Sequence, residues 1–301
     1  MRVIRAEQLT RAGSNANPAL EQHCTYTAEC EIAGVTMQLC TDVPDVARFF
    51  AMRYADHPAG GEIDFRYYVA TVRGGYAFWC AHAPTWRWTQ GALPADAVAF
   101  LADSVALAAM VRFDPALVSM QAAAVEFNGI AAGLAGTPAA GKTATLLACA
   151  RRGMRIYSDE RTVLRNAMVH PYLRRNSVRA AGARLLLTDQ GMDSRDDVRY
   201  SEPQLSLKAC FGSASIAQPK PLRALFVIGG TGYCAALEAI DTASAMPAVM
   251  RWFDSQGDMV DRATRAIAIL SGVQCYKLTL GSPDESAAAM AYAMMRVTQR
   301  P

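Results

Sequence analysis

Residues Gly136, Thr137, Pro138, Ala139, Ala140, Gly141, Lys142 and Thr143 fit the pattern G-x-x-x-x-G-K-[ST]. That pattern works only where a strand hands over to a helix. Glycines let backbone N–H groups close around phosphate oxygens, the lysine reaches the β and γ oxygens, and the hydroxyl after it can ligand Mg²⁺. The flanks agree with this context. The apolar runs Ala122-Ala-Ala-Val-Glu-Phe and Gly129-Ile-Ala-Ala-Gly-Leu-Ala come before the loop, and Thr143-Ala-Thr-Leu-Leu-Ala-Cys-Ala-Arg-Arg reads as a helix ended by Gly153. The N-terminus of that helix, including Ala144, adds a partial positive charge to anion binding. An α/β nucleotide-binding domain is expected, with residues 136–144 as its phosphate cradle and Thr143 on the metal.

With 301 residues, 52% of them hydrophobic, the chain can bury a large core as two domains or one large one. A net charge of only +3 does not support a protein held to nucleic acid by its global field. The eight cysteines form no C-x-x-C pair and have no zinc-type spacing with the four histidines, so buried reduced thiols are expected. Met1-Arg-Val-Ile-Arg-Ala-Glu-Gln lacks the apolar core of a secretory signal, and no run of 18 apolar residues occurs. A cytoplasmic protein with no membrane partner is the expectation.

Along the chain, residues 8–22 read as a mobile arm. Two alternating strands follow around Ala33-Gly34, then a helix between Asp42 and Asp56 with Thr41 or Asp42 as its cap. Further strands are expected at Phe65-Arg-Tyr-Tyr-Val-Ala-Thr-Val, at Tyr76-Ala-Phe-Trp-Cys-Ala and near Trp86 and Trp88. An alanine-rich helix then spans Pro94 to Val111. The organisation expected is a small α+β domain over 1–95 and a nucleotide-binding domain over 96–301. In the second, Leu222-Arg-Ala-Leu-Phe-Val-Ile is a continuous apolar run suited to a central strand. Residues 189–203 read as a loop, and two helices close the chain, near Ala243–Phe253 and Asp284–Thr298.

Phosphate-loop enzymes take a metal-associated acid from a later strand, and two segments compete for the part. Leu185-Leu-Leu-Thr-Asp189 ends an apolar run but enters an acidic loop. Asp159-Glu160 is better placed, at the C-terminal end of the strand after the loop's helix, where α/β sheets bind ligands. From Gln121 to Glu160 the chain resembles the bacterial HPr kinase/phosphorylase family and its relatives, including kinases of lasso-peptide precursors, which share a nucleotide fold with phosphoenolpyruvate carboxykinase. The resemblance rests on Gly136 to Thr143, Arg152-Gly153, and the two acids 17 and 18 residues after Lys142. It implies that Asp159 takes the acceptor's hydroxyl proton and that Glu160 lies near the metal. Glu160 stands where the family has aspartate, on an arm one methylene longer. Gln121 stands where HPr kinases carry a histidine. An amide does not titrate near neutral pH, which counts against phosphorolysis.

Six arginines (161, 165, 174, 175, 179 and 184) and no acid lie between positions 161 and 184. Arg174, Arg175 and Arg179 fit a clamp on phosphate or an acidic peptide equally as well as an ordinary solvated basic face. A turn or capping role suits His170 better than ligation. Trp86 and Trp88 suit packing better than base stacking, and Lys208 suits the surface at least as well as the site. The activity expected is an ATP- and Mg²⁺-dependent kinase acting on a hydroxyl, most plausibly serine in a peptide or small protein. Two alternatives stay open: a small-molecule kinase, and a nucleotide-binding regulatory or scaffold protein without turnover. Related kinases assemble, so the resemblance also implies a homo-oligomer.

Overall fold

The computed structural model describes residues 18–72, 74–80, 83–90, 93, 95–173, 176–177, 204–205, 218–251 and 253–299. These form two compact units that divide after Pro115. No helix among the described residues is long and apolar enough to cross a membrane.

The first unit holds a five-stranded sheet in the order β1 (Tyr26–Ile32), β2 (Val35–Thr41), β3 (Phe65–Val72), β4 (Gly75–Cys80), β5 (Ala83–Gln90). The expected hairpin is present, with Ala33 and Gly34 both at positive φ between β1 and β2. Part of the expected mobile arm is helical. Helix α1 (Pro18–His23) sets Leu20 into a cluster with Tyr68, Ala70 and Trp79.

Helix α2 (Pro44–Arg53) makes the crossover between the parallel pair β2 and β3, and its cap differs from expectation. Val43 occupies the cap position without a side-chain bond, and Pro44 starts the helix, where its missing N–H has no cost. Thr41 Oγ1 instead accepts from the Val43 amide at 3.1 Å. Asp42 Oδ1 crosses to the Thr71 amide at 2.9 Å, tying the helix entry to β3.

Helix α3 (Ala95–Phe113) packs on α2, β3 and β4, so it belongs to the first unit. The boundary lies at residue 115, not at the 95 expected from sequence. What binds it there is a buried charge pair: Arg53 Nη2 lies 3.0 Å from Asp103 Oδ2, with both side chains at most 2% exposed. The Tyr54 hydroxyl donates to the other Asp103 oxygen. An alanine-rich helix gives no outward sign in sequence that one aspartate on it meets a buried arginine.

The second unit begins with β6 (Leu117–Met120), β7 (Ala122–Phe127) and β8 (Ile130–Ala135). Helix α4 (Lys142–Arg151), β9 (Arg155–Ser158), β10 (Thr162–Arg165), β11 (Met168–His170) and the short pair β12 (Asn176–Ser177) and β13 (Gln204–Leu205) follow. After them come β14 (Lys220–Thr231), β15 (Ala236–Ile240), helices α5 (Thr242–Met250) and α6 (Met259–Leu270), β16 (Gln274–Leu280) and helix α7 (Pro283–Thr298). The main sheet runs β9-β7-β8-β14-β16-β15, and the start of β14 also pairs with β11, which leads to β10 and β6. β14 is central, as its apolar run implies: it pairs in parallel with β8 on one side and β16 on the other.

Alternation along the strands splits the core in two. Ala123 and Val125 of β7 and Ala132 and Leu134 of β8 face a cluster with α4 and α7. Ala122, Ala124, Ala131 and Ala135 face a second cluster with α5 and α6. The small side chains let both helical layers approach the sheet closely. Of the closing helices, α7 is as expected, with a capping box between Ser282 and Glu285. Helix α6 is an addition, opened by a capping box between Asp258 and Asp261 that was available as a sequence signal. Cys234 is exposed, against the expectation for the cysteines; the other described ones are buried.

Asp103→Ala is expected to destabilise the protein by about 3–5 kcal/mol, because it leaves Arg53 buried without its carboxylate. The double variant Arg53→Met/Asp103→Leu should recover most of that loss in urea unfolding. Equal midpoints for wild type and Asp103→Ala would refute the pair's importance.

Candidate phosphate-binding site

The strands β8, β14 and β16 run in one direction, and β9 shares it because β7 lies antiparallel between β8 and β9. The C-terminal ends of four strands and the start of β7 therefore lie along one edge. Gly136 follows β8, Asp159 follows β9, and Gln121 precedes β7. The topology thus gathers three candidates that lie far apart in sequence.

The loop between Ala135 and Lys142 is shaped by close packing. A Cβ on Gly136 would sit 3.0 Å from Ile228 Cδ1 on β14, and one on Gly141 would sit 3.0 Å from Leu280 Cδ1 at the end of β16. Gly141, with φ 94° and ψ 7°, occupies the cap position of α4 in the left-handed region that glycine enters without steric cost. Ala139 enters the same region at φ 64° despite its side chain. No side chain caps the helix at Gly141, while Thr145 closes the first turn through both its amide and its hydroxyl on the Gly141 carbonyl, each at 3.1 Å.

Lys142 folds over this loop. Its Nζ donates to the carbonyls of Gly136 at 2.9 Å and Thr137 at 2.8 Å, and the residue is buried. Burial lowers its pKa from the ordinary lysine value, and the charges of Asp159 and Glu160 partly oppose that fall. Both acids are therefore within electrostatic reach of the ammonium. An ammonium has three donors, and these two carbonyls take two of them.

Asp159 is buried and faces the loop. The Thr143 hydroxyl lies 3.0 Å from Asp159 Oδ1 and 3.2 Å from Oδ2, so the two residues are joined across 16 positions of sequence. The turn carrying the acid is held from below: the Thr162 hydroxyl donates to the Ala122 carbonyl at 2.8 Å and accepts from Ser158 Oγ at 3.1 Å. Glu160, by contrast, is exposed. Gln121 is half-buried at the same edge, and its Oε1 is enclosed with no hydrogen-bond partner among the described residues. A buried amide atom left unpaired costs about 1–3 kcal/mol, which a bound polar group would offset.

The remaining candidates separate from this group. Arg161 is half-buried just after the acids, and Arg165 lies at the other end of β10. Arg174, Arg175, Arg179, Arg184, Asp189 and Lys208 lie outside the described residues, as does the expected 189–203 loop. Trp86 and Trp88 lie on β5. His170 closes β11 opposite Val163, and its pKa is lowered by burial and by Arg165.

The donor set fits a nucleoside triphosphate with Mg²⁺. A hydroxyl beside a buried carboxylate suits a hard cation that prefers oxygen, and a lysine on a glycine-bounded loop suits the phosphates. No family model matches this chain, and no curated protein matches it. Among solved structures it is similar to the HPr(Ser) kinase/phosphatase from Coxiella burnetii, with 10% identity over 60% of this chain and 97% of the other, at a TM-score of 0.30. A superposition that loose carries no residue role from one chain to the other. The chemistry of the site rests on its own geometry.

Two outcomes test this geometry. Gly141→Val forces a branched side chain into a left-handed backbone against Leu280. It is expected to cost about 1–3 kcal/mol of stability and to weaken polyphosphate binding, measured by thermal unfolding and titration calorimetry. The second concerns Lys142, which attracts phosphate only as the ammonium. As pH rises, the wild-type affinity should decline at a pH below the ordinary lysine value of 10.5, whereas Lys142→Arg, which stays charged, should show a flat profile. Parallel profiles would count against the ammonium as the phosphate ligand.

Proposed function

We propose that this chain is an ATP- and Mg²⁺-dependent phosphotransferase of the HPr-kinase-like type, moving a γ-phosphoryl group to a hydroxyl, serine of a peptide or small protein. One observation carries the reading: the Thr143 hydroxyl of the loop meets the buried carboxylate of Asp159. Phosphate-loop enzymes use a hydroxyl from the loop and an acid from a later strand to fix the metal beside the phosphates. When bound, Mg²⁺ would neutralise charge on the β and γ oxygens.

In this reading residues 136–144 hold the phosphates and Lys142 exchanges loop carbonyls for phosphate oxygens. Asp159 stands on the metal side with Thr143 and receives the acceptor's proton late in transfer. The acceptor oxygen forms its bond to phosphorus as the bond to the β-phosphate oxygen breaks, and the proton passes to the carboxylate. Positioning and charge compensation do most of the work in such a reaction. The geometry favours Asp159 over Glu160 for the metal side, because Glu160 is exposed. Gln121, whose unpaired buried Oε1 is an acceptor, would accept a hydrogen bond from the hydroxyl of the acceptor. Arg174, Arg175 and Arg179 would meet an acidic acceptor.

With labelled ATP and candidate serine peptides, Asp159→Asn should lower transfer by at least about 10²-fold. It should also remove the Mg²⁺ dependence of ATP affinity, while Glu160→Gln keeps that dependence. Lys142→Ala should weaken ATP binding itself. Full-rate transfer by Asp159→Asn would refute the acid's role, and a wild type that binds ATP but phosphorylates no hydroxyl would leave a binding protein.

A further inference from the structure

The turn between β14 and β15 carries Tyr233, which is fully solvent-exposed and is the most exposed large hydrophobic side chain among the described residues. A single exposed aromatic ring is ordinary on a protein surface, so it is the position of this one that carries the argument.

Its position follows from the sheet. Val227 on β14 pairs with Ala135, the last residue before the phosphate loop, and Thr231 pairs with Leu280 at the end of β16. The Gly232 amide donates to the Leu280 carbonyl at 2.8 Å. The Leu280 side chain is the one that a Cβ on Gly141 would meet. A continuous contact path thus runs from the loop through Leu280 to the residue before Tyr233. The turn is also packed tightly from behind: a Cβ on Gly281 would lie 2.4 Å from the Ala235 nitrogen and 2.7 Å from the Cys234 carbonyl carbon. Gly229 lies against the Lys277 side chain and Gly232 against Thr279, while a Cβ on Gly230 would meet nothing within 4 Å. Leu280 stands between Gly141 and Gly232, so a path through a single residue joins the loop to the start of the turn.

We propose that Tyr233 is the stacking platform for the heterocyclic base of the nucleotide whose phosphates the 136–143 loop holds. The inference rests on the nucleotide reading above and adds the base subsite to it. Stacking on one ring uses a face that every base has, so it stabilises binding without selecting strongly among bases. The ring lies at the rim, where it covers one side of the base and leaves the other to solvent.

The test compares Mg²⁺-ATP with Mg²⁺-tripolyphosphate, which has the phosphates and no base, by titration calorimetry. Tyr233→Ala should weaken ATP binding on the order of tenfold and leave tripolyphosphate affinity unchanged, and Tyr233→Phe should restore ATP binding. The neighbouring exposed thiol supplies an independent readout: alkylation of Cys234 should be slowed by ATP and not by tripolyphosphate. Unchanged ATP affinity in Tyr233→Ala, or equal losses for both ligands, would overturn the platform while leaving the phosphate loop in place. A wild type that binds neither ligand would remove the loop reading and the platform with it.

Discussion

Backbone pairing of β8 between β7 and β14 is the constraint on which the site depends. Because β14 and β16 run parallel to β8, their C-terminal parts lie beside the phosphate loop, and Ile228 and Leu280 close against Gly136 and Gly141. A one-residue slip of β14 would turn Ala224 and Phe226 from one helical layer toward the other. It would also take Ile228 away from the loop. The shape of the loop is therefore a property of the sheet as much as of its own eight residues.

Charge is handled differently in the two units. In the first, Arg53 and Asp103 are buried together, with Tyr54 donating to the same carboxylate, and the arrangement joins α2 to α3. In the second, Lys142 and Asp159 are both buried but not sealed to each other: the lysine bonds to carbonyls and the aspartate to a hydroxyl. A structural pair satisfies its own charges. Lys142 keeps its charge on neutral carbonyls that a charged ligand can replace, beside an Asp159 that meets the loop through Thr143.

Much of the site was legible in sequence. The glycine–lysine spacing, the helix from Lys142 and the strand ending at Ser158 are local signals, and each formed as its residues indicate. What local pattern could not supply was the hydrogen bond from Thr143 to Asp159, which exists because β9 returns to the edge where β8 ends. The boundary at Pro115 was hidden because the aspartate that binds α3 to its unit is one polar residue on an alanine-rich helix. The cap of α2 was misread because Asp42, a good local cap, is drawn to the Thr71 amide on a neighbouring strand. Helix α6 was missed although Asp258 and Asp261 announced it. Tyr233 carried no sequence signal, since one tyrosine between glycine and cysteine resembles any surface residue.

Lys142 gives the loop a further property. Its ammonium already holds the carbonyls of Gly136 and Thr137, so capturing an anion is an exchange of partners and not the recruitment of an idle cation. The affinity measured is then a difference between phosphate oxygens and peptide oxygens as acceptors. In return the loop is ordered before its ligand arrives, and little conformational entropy is lost at the moment of capture.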